Sequence, residues 1–301
     1  MYHVSDMGEL LVSAMFWQGA LEDPVEVPSH NKYTQEKVIQ KPIYKYHLAR
    51  KRRNLQARSF KMAAPQKKKE TMLVIAPHPD DEILCCSLKI REQLRAGNRV
   101  KVVYLTDGDA LHKSNSKQVR EYAQTRRDES IQATRALGLK RQDLIFLGFP
   151  DGHLNELGNQ ALVSDYSDRH KTAPGSFRPG TPYTRGALTQ QLAQIINRFR
   201  PNSVYTPSHH LDAHADHQEA EHLIHEALQT MPHTPKILTY AIHNFDRWMA
   251  TKTPKNPWKL NLIQYFKSQF HDDWHQTYLE KFAAIPETFY APKEEVVKSE
   301  D

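Results

Sequence analysis

"VIAPHPDDEILCC", residues 74–86, decides how this chain is read. It closes an apolar run, Met72-Leu73-Val74-Ile75-Ala76, that is continuous rather than alternating. That is the pattern of a strand buried on both faces. The run stops at Pro77-His78-Pro79, and Asp80, Asp81 and Glu82 follow at once. One explanation is a polar turn in which Asp80 or Asp81 caps a helix beginning at 82. The other is half of a metal site, with an imidazole and carboxylates placed at the end of a buried strand.

Working outward, strand and helix patterns alternate. Residues 82–96 have helical spacing, with Ile83, Leu84, Leu88, Ile90 and Leu94 largely on one side and Gly97 as a stop. VKVVYLT (100–106) predicts a second strand, 116–137 a long charged helix ending at Gly138, and DLIFLG (143–148) a third strand. Residues 153–182 lack period and are rich in Gly, Pro, Ser and Asn, as in a long loop that covers a site or is disordered. A helix over 184–199, a strand at SVYTP (203–207), a helix over 217–230 and a strand at ILTYAI (237–242) continue the alternation. Residues 251–270 are ambiguous, and 272–284 predict a terminal helix. This order implies an α/β fold: a Rossmann-like parallel sheet of about five or more strands with helices on both faces. No G-x-G-x-x-G follows the first strand, and neither a Walker loop nor a G-x-S-x-G elbow is present.

Open parallel sheets bind ligands beyond the carboxyl ends of their strands. His78-Pro79-Asp80-Asp81-Glu82 follows the first strand. Ser208-His209-His210-Leu211-Asp212-Ala213-His214-Ala215-Asp216-His217 follows the fourth. The fold brings both to one edge, although some 130 residues separate them. Two imidazoles and a carboxylate make a three-ligand zinc site with a position open for water. Adjacent aspartates suit a division of labour, because successive loop residues point different ways. Asp216 with Glu219 also fits a capping box, and His209 and His210 fit an ordinary surface loop.

HPDDE paired with a distant H-x-D-H resembles the PIG-L/LmbE-like family of zinc-dependent de-N-acetylases. The resemblance covers about residues 71–290. It extends to Leu105-Thr106-Asp107-Gly108-Asp109, to Arg126-x-x-Glu129 before Ala136-Leu137-Gly138, and to Phe146-Leu147-Gly148-Phe149-Pro150-Asp151-Gly152. Glu287-Thr288-Phe289 is a fainter echo. It implies His78, Asp81 and His217 as ligands of zinc, replaceable by another divalent transition metal. It implies Asp80 as the general base, His214 as the group that polarises the amide carbonyl, and Asp216 as the partner that orients His214. Arg126 is either structural or part of the pocket lining. The chain departs from the family at Cys85, Ser87 and Leu88, where many members have small glycines; this removes no ligand. The implied reaction is hydrolysis of the N-acetyl group of an acetamido sugar or glycoconjugate. Two alternatives stand beside it. One is a non-haem Fe(II) oxygenase using a His/Asp/His triad; those enzymes usually occupy β-barrels. The other is a non-catalytic carbohydrate-binding relative.

Charge divides the chain. Residues 1–30 carry −5, residues 31–70 carry +11, and residues 71–301 are neutral with 28 charges of each sign. The body therefore shows no nucleic-acid footprint. The expected organisation is a basic, poorly ordered leader over 1–70 and a deacetylase domain over 71–295. Met62 stands as a plausible native start. RKRR (50–53) and KKK (67–69) leave membrane contact through the leader open, and a homo-oligomer is also open. LLVSAMFWQGAL (10–21) lacks the preceding positive charges of a signal peptide. Adjacent Cys85 and Cys86 are not expected to pair, which with the missing signal points to the cytoplasm.

Overall fold

The computed structural model describes residues 68–110, 116–161, 175–244, 255–269, 277 and 281–292. All of them belong to one unit, Lys67–Asp301. Five strands form a single sheet: β1 (Thr71–Ala76), β2 (Arg99–Thr106), β3 (Leu144–Phe149), β4 (Ser203–Pro207) and β5 (Lys236–Tyr240). These five strands pair in parallel in the order β3-β2-β1-β4-β5, and Thr239 of β5 makes an isolated antiparallel bridge with Tyr290. The helices are α1 (Asp81–Arg95), α2 (Ser116–Leu137), α3 (Arg185–Phe199), α4 (Ala215–Gln229) and α5 (Pro257–Ile263).

The pleat sorts β1 between two cores. Met72, Val74 and Ala76 join the layer containing Ile83, Leu84 and Ile90 of α1, Leu137 of α2, and Leu262 and Ile263 of α5. Leu73 and Ile75 join the layer containing Leu188, Leu192 and Ile195 of α3 and Leu223 and Ile224 of α4. All six residues of β1 are buried. Each large apolar side chain there contributes roughly 1.5–3 kcal/mol relative to exposure, so a central strand must be apolar on both faces.

The strand order reverses between β1 and β4, and these two strands are direct neighbours. A crevice opens beyond their carboxyl ends. This is a doubly wound α/β scaffold, not the barrel on which an Fe(II) facial triad usually sits. The ambiguous stretch 251–270 holds α5 and a short 3₁₀ turn, Lys267–Gln269. Asn256 starts α5 by accepting from the amides of Trp258 and Lys259, with Pro257 at its first position. The expected helix over 272–284 lies largely outside the described residues, as does the leader up to residue 67. Among the described residues, no helix is long and apolar enough to cross a membrane.

One expectation is corrected. Cys85 and Cys86 are joined as a disulfide between neighbours. Both cysteines lie within α1 and are buried. Such a bond closes no loop, so it adds no framework to the fold.

Candidate active site

The turn after β1 is tied down before it does any chemistry. The Pro77 carbonyl accepts from both the amide (2.9 Å) and the hydroxyl (2.8 Å) of Thr106 at the end of β2. The His78 amide donates to Asp81 Oδ2 at 2.7 Å. Asp80 occupies the N-cap of α1, yet its side chain makes no capping bond. Its Oδ2 instead accepts from Arg126 Nη2 at 3.1 Å. Neither aspartate therefore serves as the helix cap.

After β4 the chain turns at Asp212 and enters α4. His214 is the N-cap, its Nδ1 accepting from the Asp216 amide at 3.2 Å. Glu219 pairs with Arg185, so the alternative capping box between Asp216 and Glu219 is not formed. His210 is exposed and His209 half-buried, as in an ordinary surface loop.

Three atoms from the two clusters converge. His78 Nδ1 lies 3.2 Å from His217 Nε2, Asp81 Oδ2 lies 3.4 Å from His78 Nδ1, and Asp81 Oδ2 lies 3.3 Å from His217 Nε2. Ligands about 2.0–2.1 Å from a tetrahedral zinc stand roughly 3.3–3.4 Å apart. The far nitrogens of both rings are engaged. His78 Nε2 faces Asp151 Oδ1 (2.9 Å) and Asp216 Oδ2 (3.1 Å), and His217 Nδ1 faces Asp212 Oδ2 (3.0 Å). With those far nitrogens holding the protons of neutral rings against the carboxylates, His78 Nδ1 and His217 Nε2 would turn lone pairs toward each other and toward Asp81. Three acceptors facing one another call for a cation between them, so the donor set fits a divalent metal. A looser grouping substitutes His214, with one ligand atom each of His78, His214 and His217 within 4.8 Å.

The electrostatics agree. Burial opposes a charge on His217, but Asp81 and Asp212 outweigh it and lift its pKa to about 10. Burial likewise opposes a charge on His78, yet Asp151, Asp216 and Asp81 hold it well above the usual histidine value. The pocket thus favours positive charge at the point where the three atoms meet. Asp80 behaves differently from its neighbour. Burial raises its pKa, against the lowering charge of Arg126, while the two histidines outweigh burial and hold Asp81 well below the carboxylate range. Glu82 faces the core. Burial, then the charge of Asp80, pushes its carboxyl well above the usual value.

All six predicted residues meet at this edge, with one change of pairing. The Asp216 carboxylate does not reach the His214 ring; it accepts from the amides of Gly152 (2.7 Å) and Leu154 (2.9 Å) and touches His78. His214 contacts Asp216 through the backbone alone. Burial, then His78 and His217, holds the half-buried His214 below the usual histidine value. With Nδ1 accepting, the neutral ring carries its proton on Nε2.

Three contributors escaped the sequence reading. Asp151 backs His78, and Asp212 backs His217 while accepting from the amides of Ile242 (2.7 Å) and His243 (3.2 Å). His243 packs edge-on against His217 and is pushed to about 3 by burial and by His217. Asp151 and His243 follow the carboxyl ends of β3 and β5, so the rule that located the two clusters applies equally to them. Arg126 has a structural part: it also donates to the carbonyls of Gly108 (2.7 Å) and Pro79 (3.3 Å), which makes it the brace of Asp80.

Residues 73–228, just over half of the 301, match the family described as GlcNAc-PI de-N-acetylase, PIG-L, and the chain belongs to that family. No curated protein sequence matches the chain. Among solved structures it is similar to N,N'-diacetylchitobiose deacetylase from Pyrococcus horikoshii, with 21% identity, a TM-score of 0.52 and coverage of 85% of this chain and 94% of that one. It is also similar to the conserved protein TT1542 from Thermus thermophilus (21% identity, TM-score 0.49, coverage 74% and 95%). A further similar structure is 4-carboxy-2-hydroxymuconate hydratase from Pseudomonas putida KT2440 (18% identity, TM-score 0.46, coverage 70% and 82%). At 21% identity the likeness to the Pyrococcus enzyme bears on the fold alone.

Proposed function

We propose that this chain is a divalent-metal-dependent hydrolase that removes the N-acetyl group from an acetamido sugar or glycoconjugate, releasing acetate and a free amine. The observation that carries the reading is the near-equilateral triangle of His78 Nδ1, Asp81 Oδ2 and His217 Nε2, with edges of 3.2–3.4 Å. Family membership supports the reaction class. The GlcNAc-PI of the family description and the chitobiose of the Pyrococcus enzyme support an acetamido sugar as substrate.

His78, Asp81 and His217 would hold the ion, oriented by Asp151, Asp216 and Asp212. Zinc, or another divalent ion, supplies a Lewis acid there and lowers the pKa of water toward neutrality. Asp80 stands beside the triangle and takes the proton of the attacking water. Its raised pKa makes it a stronger base than an exposed aspartate, and Arg126 fixes its direction. His214 donates from Nε2 to the carbonyl oxygen as charge gathers on it, a role a neutral imidazole can fill. The proton held by Asp80 then passes to the departing nitrogen, so water is consumed and acetate and amine result.

The test is a screen of purified, zinc-loaded protein against N-acetylated sugars and their conjugates, with free amine as readout. Amine release that stops on chelation and proceeds without oxygen is expected. Release unaffected by chelator, or absent from every acetamido sugar tried, contradicts the reading.

A further inference from the structure

The C-terminal part of the chain lies beyond the family match at 73–228, yet two of its charged side chains enter α1. Lys259 of α5 is 1% exposed, and its Nζ donates to the Leu84 carbonyl at 2.5 Å. Glu287 accepts from Ser87 Oγ (2.9 Å), from the Leu88 amide (2.8 Å) and from the Lys89 amide (3.0 Å). The two charges are 3.9 Å apart.

Leu88 and Lys89 stand in mid-helix, where an amide normally donates to the carbonyl four residues back. The Leu88 amide donates at 2.8 Å, and the Lys89 amide at 3.0 Å, to a carboxylate from another segment, the kind of partner amides otherwise take at a helix N-terminus. The carbonyl four residues before Leu88 is that of Leu84, the oxygen Lys259 takes. Both halves of one rung are thus engaged from outside, cation on carbonyl and anion on amides. That polarity matches the two ends of a helix. These contacts fall at Leu84–Lys89, a stretch that includes Cys85, Ser87 and Leu88, where this chain departs from the glycines of the family it resembles. One turn upstream stand Asp80 and Asp81, with His78 just before them.

We propose that Lys259 and Glu287 are positioning residues for the metal site: they clasp α1 at residues 84–89 and so fix where its first turn holds Asp80 and Asp81. The proposal rests on the metal-hydrolase reading above. Removing one charge alone strands the other in the interior and mixes positioning with stability. The double variant Lys259→Met/Glu287→Gln removes both together. Its zinc affinity, measured by chelator competition on the full chain, should fall about 10–100-fold, the range for losing groups that orient metal ligands. Hydrogen exchange at the Leu88 and Lys89 amides should accelerate. Lys259→Arg keeps a cation for the Leu84 carbonyl and should retain zinc affinity near that of the parent. If the double variant does not fold, Glu287→Gln alone carries the same two readouts, with circular dichroism and the melting temperature of the variant separating lost stability from lost positioning. Unchanged zinc affinity with unchanged exchange at Leu88 and Lys89 in a folded variant overturns the clasp. A parent protein that binds no zinc overturns the metal reading instead, so the chelator titration of the parent separates the two failures.

Discussion

Asp80 and Asp81 are chemically identical neighbours, and their surroundings separate them. Asp81 turns toward two imidazoles that stabilise its charge, while Asp80 turns toward Arg126 in a buried pocket that raises its pKa. Asp80→Asn should keep its metal and lose about 10²–10⁴-fold in kcat, because an amide cannot accept the proton of water. Metal analysis beside kcat checks this, and loss of metal from Asp80→Asn with retention in Asp81→Asn reverses the two roles. Asp216 divides the sequence reading from the geometry. An orienting partner of His214 would affect kcat alone, whereas a carboxylate at 3.1 Å from His78 Nε2 should govern metal affinity. Asp216→Asn is therefore expected to bind zinc about 10–100-fold more weakly. Full zinc affinity with a lowered kcat would favour the His214 pairing. The proposed ligands were legible because they cluster in sequence at strand ends. Their backing carboxylates, Asp151 and Asp212, were not singled out. A lone aspartate in a turn carries no mark of the imidazole it will meet.

At the scale of elements, the apolar runs and helical periods placed five strands and the first four helices, since burial on one or two faces leaves a period in the sequence. The stretch 251–270 carried no such signal. Helix α5 is only seven residues long, and its start depends on the Asn256 cap rather than on an apolar stripe. The outside partners of Leu84 and Leu88 in α1 were equally invisible, because they lie some 175 and 199 residues downstream. Between β2 and α2 the chain passes Gly108 at φ +65°, and a Cβ there would come within 2.5 Å of Arg126 Nη1 and 2.8 Å of Pro79 Cδ. Gly108→Ala should thus lose about 1–2 kcal/mol from the left-handed backbone alone, and should also push Arg126 away from Asp80. A urea midpoint and kcat at parental levels in that variant would show that the loop adjusts freely.

For the whole molecule, the strand order puts β1 beside β4, and this adjacency joins two motifs that lie far apart in sequence. The alternation of elements implied such a sheet; the order itself comes from the pairing of Met72, Leu73 and Val74 with Ser203, Val204 and Tyr205. The neutral charge of residues 71–301 suits an uncharged substrate and gives no reason for the basic segment 31–70 to take part in catalysis. A chain beginning at Met62 is expected to fold and to bind zinc like the full chain, since every site residue lies from His78 onward. A lowered melting temperature in that chain would mean that the preceding residues pack on the body. The central claim is that His78, Asp81 and His217 together hold the metal, and zinc content per folded chain in His78→Ala, Asp81→Ala and His217→Ala tests it most directly. Each variant should show sharply reduced zinc while the parent holds about one ion per chain; full zinc occupancy in all three would contradict the account.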